Sequence, residues 1–214
     1  YGDPRDLHSF PTRRSSDLQL PAEQNSAFAR ASAEYVASQR YNADRAEARV
    51  NLANFSASKG DAAKAEEELK AAIRLDPFFI PAYVNLADLY RARGRDADGE
   101  NILRDGIKLA PKSAMLHHAL GLALVRLKRA DAALAELEQA AILAPANARL
   151  SYVYAVALHS TGKVDAAIKK LEKTLLAHPN DRDVLQALAS FHQARGDTVA
   201  AKNYADRLLM LMER

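Results

Sequence analysis

Small and large apolar residues alternate along this chain at a fixed 34-residue step. Ala53, Ala87, Gly121, Ala155 and Ala189 form one small column, and Ala65, Gly99, Ala133, Ala167 and Ala201 form a second. Between them run large residues: Leu52, Leu86, Leu120, Tyr154 and Leu188, then Leu69, Leu103, Leu137 and Leu171. Small beside large is what two helices need to cross closely, ridge into groove. The pattern therefore predicts pairs of helices, with Ala87 and Ala133 at crossings that tolerate no bulk. The punctuation keeps the same step. Gly60, Gly94, Gly162 and Gly196 mark one turn, with Lys128 in the one missing slot, and Pro77, Pro111, Pro145 and Pro179 mark the other. A glycine there accepts the left-handed backbone that ends a helix. Asp61, Asp96, Asp131, Asp165 and Asp197 follow it and are expected to cap the second helix or favour its positive end. The prolines either stop the second helix or open the next first helix.

This 34-residue helix–turn–helix register resembles the tetratricopeptide repeat. The resemblance implies an all-α fold, a right-handed superhelix (α-solenoid) of five repeats plus a preceding helix. The repeats are 46–79, 80–113, 114–147, 148–181 and 182–214, the last one residue short of a period. A partial repeat occupies 19–45. There one helix is expected from Ala22 to Arg40, with Ala31 and Tyr35 in the slots that Ala65 and Leu69 fill later. In the second repeat, Gly99 and Gly106 weaken the second helix, and alanine at 106 is expected to stabilise it. The pentatricopeptide class, which reads RNA, steps by 35 residues and does not fit.

Residues 1–18, YGDPRDLHSFPTRRSSDL, fit no repeat slot. They resemble one reading frame of a common sequencing adapter, and are expected to be a non-native, disordered segment outside the solenoid. On that reading the chain from Gln19 onward is the C-terminal portion of a longer bacterial protein.

Composition narrows the function without naming a partner. Cysteine is absent, which removes disulfides and thiolate chemistry. The net charge is +3 with both signs interleaved, which argues against nucleic acid as a partner. No apolar run reaches membrane-spanning length. Phosphate-binding, zinc-protease and haem-attachment motifs are all missing. His117 and His118 are neighbours on a helix and cannot share a metal; packing or exposure explains both. His159 and His192 show no partner carboxylate, and Glu66, Glu67 and Glu68 read as a solvated face. The expectation is a non-enzyme, with no cofactor and no metal.

In the tetratricopeptide pattern, first-helix residues outside the core form the concave face. The resemblance places Asn51, Asn54, Asn85, Asp88, Arg91, Met115, His118, Leu122, Val125, Tyr152, Val156 and His159 there. The middle of this set is more apolar than its ends, which suits an extended or helical segment of a partner protein. Asn54 and Asn85 match the asparagines of the family's carboxylate clamp, but Val50, Met115 and Ala119 stand where its cations belong. The unusually apolar terminal run from Leu208 to Met212 is an alternative docking edge.

A second resemblance lies in PAYVNLADLYRARGRDADGENILRDGIKLAPKSAMLHHALGLALVRLKR and NARLSYVYAVALHSTGKVDAAI. These runs are similar to the C-terminal tetratricopeptide region of bacterial multihaem c-type cytochrome proteins. That resemblance implies a periplasmic docking appendage that packs on an upstream haem domain. Without it, cytoplasm and periplasm remain equally open.

Overall fold

The computed structural model describes residues 22–212. The adapter-like segment 1–18 lies outside the described residues. Eleven helices make up the described chain, and no strand occurs among these residues. The chain divides after Asn42. The first part contains α1 (Ala22–Tyr41). Tyr35 is 43% exposed and Ala31 is also exposed, so neither has the burial of its counterparts Ala65 and Leu69.

The second part holds five helix pairs: α2 (Ala46–Ser58) with α3 (Ala62–Leu75), α4 (Ile80–Ala92) with α5 (Asp96–Leu109), α6 (Ala114–Arg126) with α7 (Ala130–Leu143), α8 (Ala148–Ser160) with α9 (Val164–Ala177), and α10 (Arg182–Arg195) with α11 (Thr198–Met212). Each helix packs on the next, and second helices contact the first helix of the following pair. The first helices also touch one another directly, α4 with both α2 and α6, and α8 with α10. This is an α-solenoid whose buried residues form four apolar clusters, bridged by half-buried side chains such as Ile73, Ile102 and Tyr154, as expected where each pair closes its apolar face against its neighbours.

The turn inside each pair has one solution, repeated five times. Gly60, Gly94, Gly162 and Gly196 have φ between 68° and 87°, and Lys128 in the third turn has φ 59°. A Cβ costs about 1–2 kcal/mol in that left-handed conformation. At Lys128 the turn is closed by backbone hydrogen bonds from Lys128 N–H to the Val125 carbonyl oxygen and from Arg129 N–H to the Leu124 carbonyl oxygen. The prolines fall two residues past the ends of α3, α5, α7 and α9. They stop the second helix and do not open the next one, whose first turn starts three residues later.

The aspartates divide into two groups. Asp61 and Asp197 accept from the backbone N–H of Lys64 and Ala200, as caps do. Asp96, Asp131 and Asp165 sit one or two residues inside their helices, whose N-caps are Arg95, Arg129 and Lys163. There they favour the helix dipole, and Asp96 and Asp165 also reach Arg126 and Arg195 of the next pair.

Of the ten small-column residues, nine are buried and Ala189 is half-buried. Tyr154 is likewise half-buried. Gly121 shows why the slot must be small: a Cβ there would lie 2.6 Å from Leu137 Cγ. Gly106 has tighter surroundings than helix propensity alone considers. Its missing Cβ would lie 3.1 Å from both Leu116 Cδ2 and Tyr83 Cδ1, so the gain in helix propensity from alanine is set against a shift of a few tenths of an ångström in those two side chains. A Cβ on Gly99 would be in ordinary contact, 3.4 Å from the Ala87 carbonyl oxygen.

Candidate functional site

The twelve residues placed on the first-helix face do not behave alike. Asn85 Nδ2 donates to Asn54 Oδ1 at 3.5 Å, which links α2 and α4 side by side. Arg91 Nε donates to Asp88 Oδ1 at 3.3 Å across one helical turn, so these charges satisfy each other. Asn51 and His118 are half-buried. Met115, Val125 and Val156 are exposed at 53%, 49% and 38%. Leu122 and Tyr152 are half-buried against the core formed by α7 to α10. Burial, and after it Asp183, pushes the Tyr152 hydroxyl above its ordinary pKa. His159 stacks on Phe191, ring centroids 3.9 Å apart and nearly parallel. Leu122, Tyr152 and His159 thus pack against neighbouring helices, whereas Met115, Val125 and Val156 are exposed.

Sequence reading missed a layer of polar contacts with the same 34-residue logic. Arg49 Nε donates to the Ala43 carbonyl oxygen at 2.7 Å, Tyr83 Oη to the Pro77 carbonyl oxygen at 3.0 Å, and His117 Nε2 to the Pro111 carbonyl oxygen at 3.0 Å. These three occupy one slot, and each fastens the first helix to the loop that precedes it. Arg49 also pairs with Glu68 at 2.8 Å, and His117 Nδ1 lies 2.6 Å from Glu136. His117 is thus a buried strut and is not merely packed.

A second column runs between pairs. Glu66 on α3 meets Lys70, Arg93, Arg95 and the Tyr90 hydroxyl. The Lys70 hydrogen bond first, then Tyr90 and the nearby cations, hold its carboxyl below the usual range against the opposing effect of burial. One period later Glu100 accepts from Arg129 at 2.7 and 2.8 Å, and from Arg104. Burial pushes its pKa up, but the two arginines outweigh burial and lower it. Glu66 and Glu68 are each 14% exposed at the side chain, so they are not part of a solvated face. At the third joint the acid is replaced by Leu134 and the arginine by Lys163. At the fourth, Ile168 and Asp197 stand there, and buried His192 lies 3.2 Å from Asp197 and 3.9 Å from Glu172.

The third joint is open. A cleft of about 230 Å³ is lined by Val125, Lys128, Ala130, Ala133, Leu134, Ala157, Ser160 and Thr161. In the sequence the Glu66–Glu100 column breaks at Leu134, one of the lining residues, and stays broken at Ile168. Among the described residues no group of three or more His, Cys, Asp or Glu could hold a metal, and no helix is long and apolar enough to cross a membrane.

Comparison with known proteins fits this architecture. The family described as tetratricopeptide repeat matches residues 56–122 and 124–191. No curated protein matches the sequence. Among solved structures, MamA is 25% identical, with TM-score 0.65 over 76% of this chain and 95% of that one. YrrB, described as a TPR protein with an unusual peptide-binding site, is 18% identical, with TM-score 0.60 over 83% and 91%. The pilF protein of Pseudomonas aeruginosa is 21% identical, with TM-score 0.65 over 80% and 77%. The last two show a shared fold alone.

Proposed function

On the premise that the chain belongs to the tetratricopeptide-repeat family, we propose that it is a non-catalytic scaffold that binds a protein segment on its first-helix face. Proteins of this family are generally scaffolds for peptides or proteins, and YrrB shows that a solenoid of this fold can carry a peptide site. The observation that carries the reading here is the exposure of Met115 and Val156 on α6 and α8. Large apolar side chains left open on a rigid framework are what interfaces bury. The polar residues toward the N-terminal end, Asn54, Asn85, Asp88 and Arg91, already bond to one another. They suit a rim that orients a segment without anchoring it.

The carboxylate-clamp mode is disfavoured. Val50, in one of its cation places, is buried at 6% exposure, and Met115 and Ala119 cannot supply charge-assisted bonds. The alternative, an appendage packing on a cytochrome domain, rests on sequence resemblance alone. The test is capture of a partner by the full chain and by the Met115→Glu, Val156→Glu double variant. Both residues are surface-exposed, so the variant keeps its helical circular dichroism. Capture is expected to fall at least tenfold. A partner retained equally by both forms puts the binding surface elsewhere.

A further inference from the structure

The cleft between the third and fourth repeats coincides with a change in the repeat pattern. At the first two joints an acid on the second helix, Glu66 or Glu100, is met by an arginine after the following turn, Arg95 or Arg129. That ionic plug is missing at the third joint, where Leu134 and Lys163 occupy the two places. Leu134 is 6% exposed, and with Ala130, Ala133 and Ala157 it makes the lining apolar. At its rim stand the exposed Val125 and Ser160, with Thr161 and Lys128. Ser160 and Thr161 already donate their hydroxyls to the Ala157 carbonyl oxygen. Lys128 has no ion pair among the described residues, although Arg126 and Arg129 beside it are both paired.

We propose that this cleft is a second docking point, which takes one aliphatic side chain of a partner segment with a carboxylate beside it for Lys128. Its volume of about 230 Å³ is below the roughly 300–1,000 Å³ of small-molecule pockets, so it suits one side chain and not a metabolite. The charge follows from the one cation in the lining and the absence of any acid there. The left-handed turn fixes the base of Lys128, with φ 59°, at the cleft mouth. The cleft shares only Val125 with the first-helix set, and the proposal stands whether or not that face binds.

The test uses the full chain, labelled for amide NMR, and two small probes. N-acetyl-leucine carries the isobutyl group and the carboxylate; N-acetyl-leucinamide lacks the charge. N-acetyl-leucine is expected to shift amides within 125–134 and 157–161, with a Kd on the order of a few millimolar for so small a molecule. The amide is expected to bind about threefold to fivefold more weakly, the size of one exposed ion pair. Lys128→Asn removes the charge while keeping a residue that tolerates φ > 0, and is expected to erase that difference. Leu134→Glu restores the acid of the earlier joints and is expected to abolish binding of both probes. Should that variant unfold, Ser160→Phe at the exposed rim occludes the cleft without touching the core, with the same expected loss. Absence of shifts in those two stretches, equal affinity for the two probes, or binding unaffected by Ser160→Phe overturns the proposal. Because Tyr152, Met115 and Val156 are untouched throughout, failure here leaves the first-helix reading intact.

Discussion

Gly121→Ala is the sharpest single perturbation of the packing argument. A Cβ at this position would lie 2.6 Å from Leu137 Cγ, 2.7 Å from Leu137 Cδ2 and 3.3 Å from the Leu137 backbone nitrogen. Carbon atoms pack best at about 3.5–4.0 Å, so α6 and α7 must part by on the order of 1 Å or Leu137 must leave its rotamer. Leu137 is 1% exposed and has no free space to enter. Overpacking of this kind costs about 1–3 kcal/mol, and the clash with a branch-point carbon places it toward the upper end. Replacing a helical glycine returns about 1 kcal/mol. The net expectation is a loss of about 1–2 kcal/mol, read as a lower urea midpoint. Leu137→Ala alone costs about 2–5 kcal/mol through its cavity. In the double variant the new methyl group occupies part of that cavity, so the two changes couple by about 1–2 kcal/mol. A Gly121→Ala chain as stable as the parent, or a double variant that is simply additive, would refute the close crossing.

Three further outcomes follow from the turns and joints. Lys128→Gly relieves a Cβ held at φ 59°, and denaturant titration is expected to show a gain of about 1 kcal/mol; a loss means that the lysine stem stabilises the turn by other contacts. Glu100→Gln is expected to cost about 1 kcal/mol at pH 7. Because the folded-state pKa of Glu100 lies below its unfolded value, that contribution is full above the unfolded pKa and disappears as pH falls through the folded one. The parent and variant stability curves should therefore converge below about pH 4, and curves that stay parallel into acid contradict the ion pair as the cause. Glu66→Gln is expected to show the same convergence, because its carboxyl pKa is also lowered.

The helix pairs were legible in the sequence because the constraint repeats. A small residue at a crossing and a residue with φ > 0 at a turn each recur every 34 positions, so even Lys128 could be assigned its left-handed turn from its neighbours in register. The surroundings of Gly106 were not legible, because helix propensity concerns one helix, whereas the space for a Cβ is set by Leu116 and Tyr83 on two others. The acidic run at Glu66 was misread for a similar reason. Its partners Arg93 and Arg95 are 27 and 29 residues away, across a joint that local charge patterning does not register. The candidate face was legible as a set of positions but not as depths. Leu122 and Tyr152 are half-buried against the core formed by α7 to α10, and Met115 and Val156 are exposed.

Site-specific photo-cross-linking addresses the binding face most directly. A benzophenone amino acid is placed singly at Met115 and Val156 on the first helices, and at Ile142 and Leu176, which are 58% and 86% exposed on second helices. The four chains are irradiated in lysate of the cells that make the protein. The account predicts a common adduct from positions 115 and 156 that is absent from 142 and 176. A partner cross-linked from the second-helix positions, with nothing from 115 or 156, contradicts it.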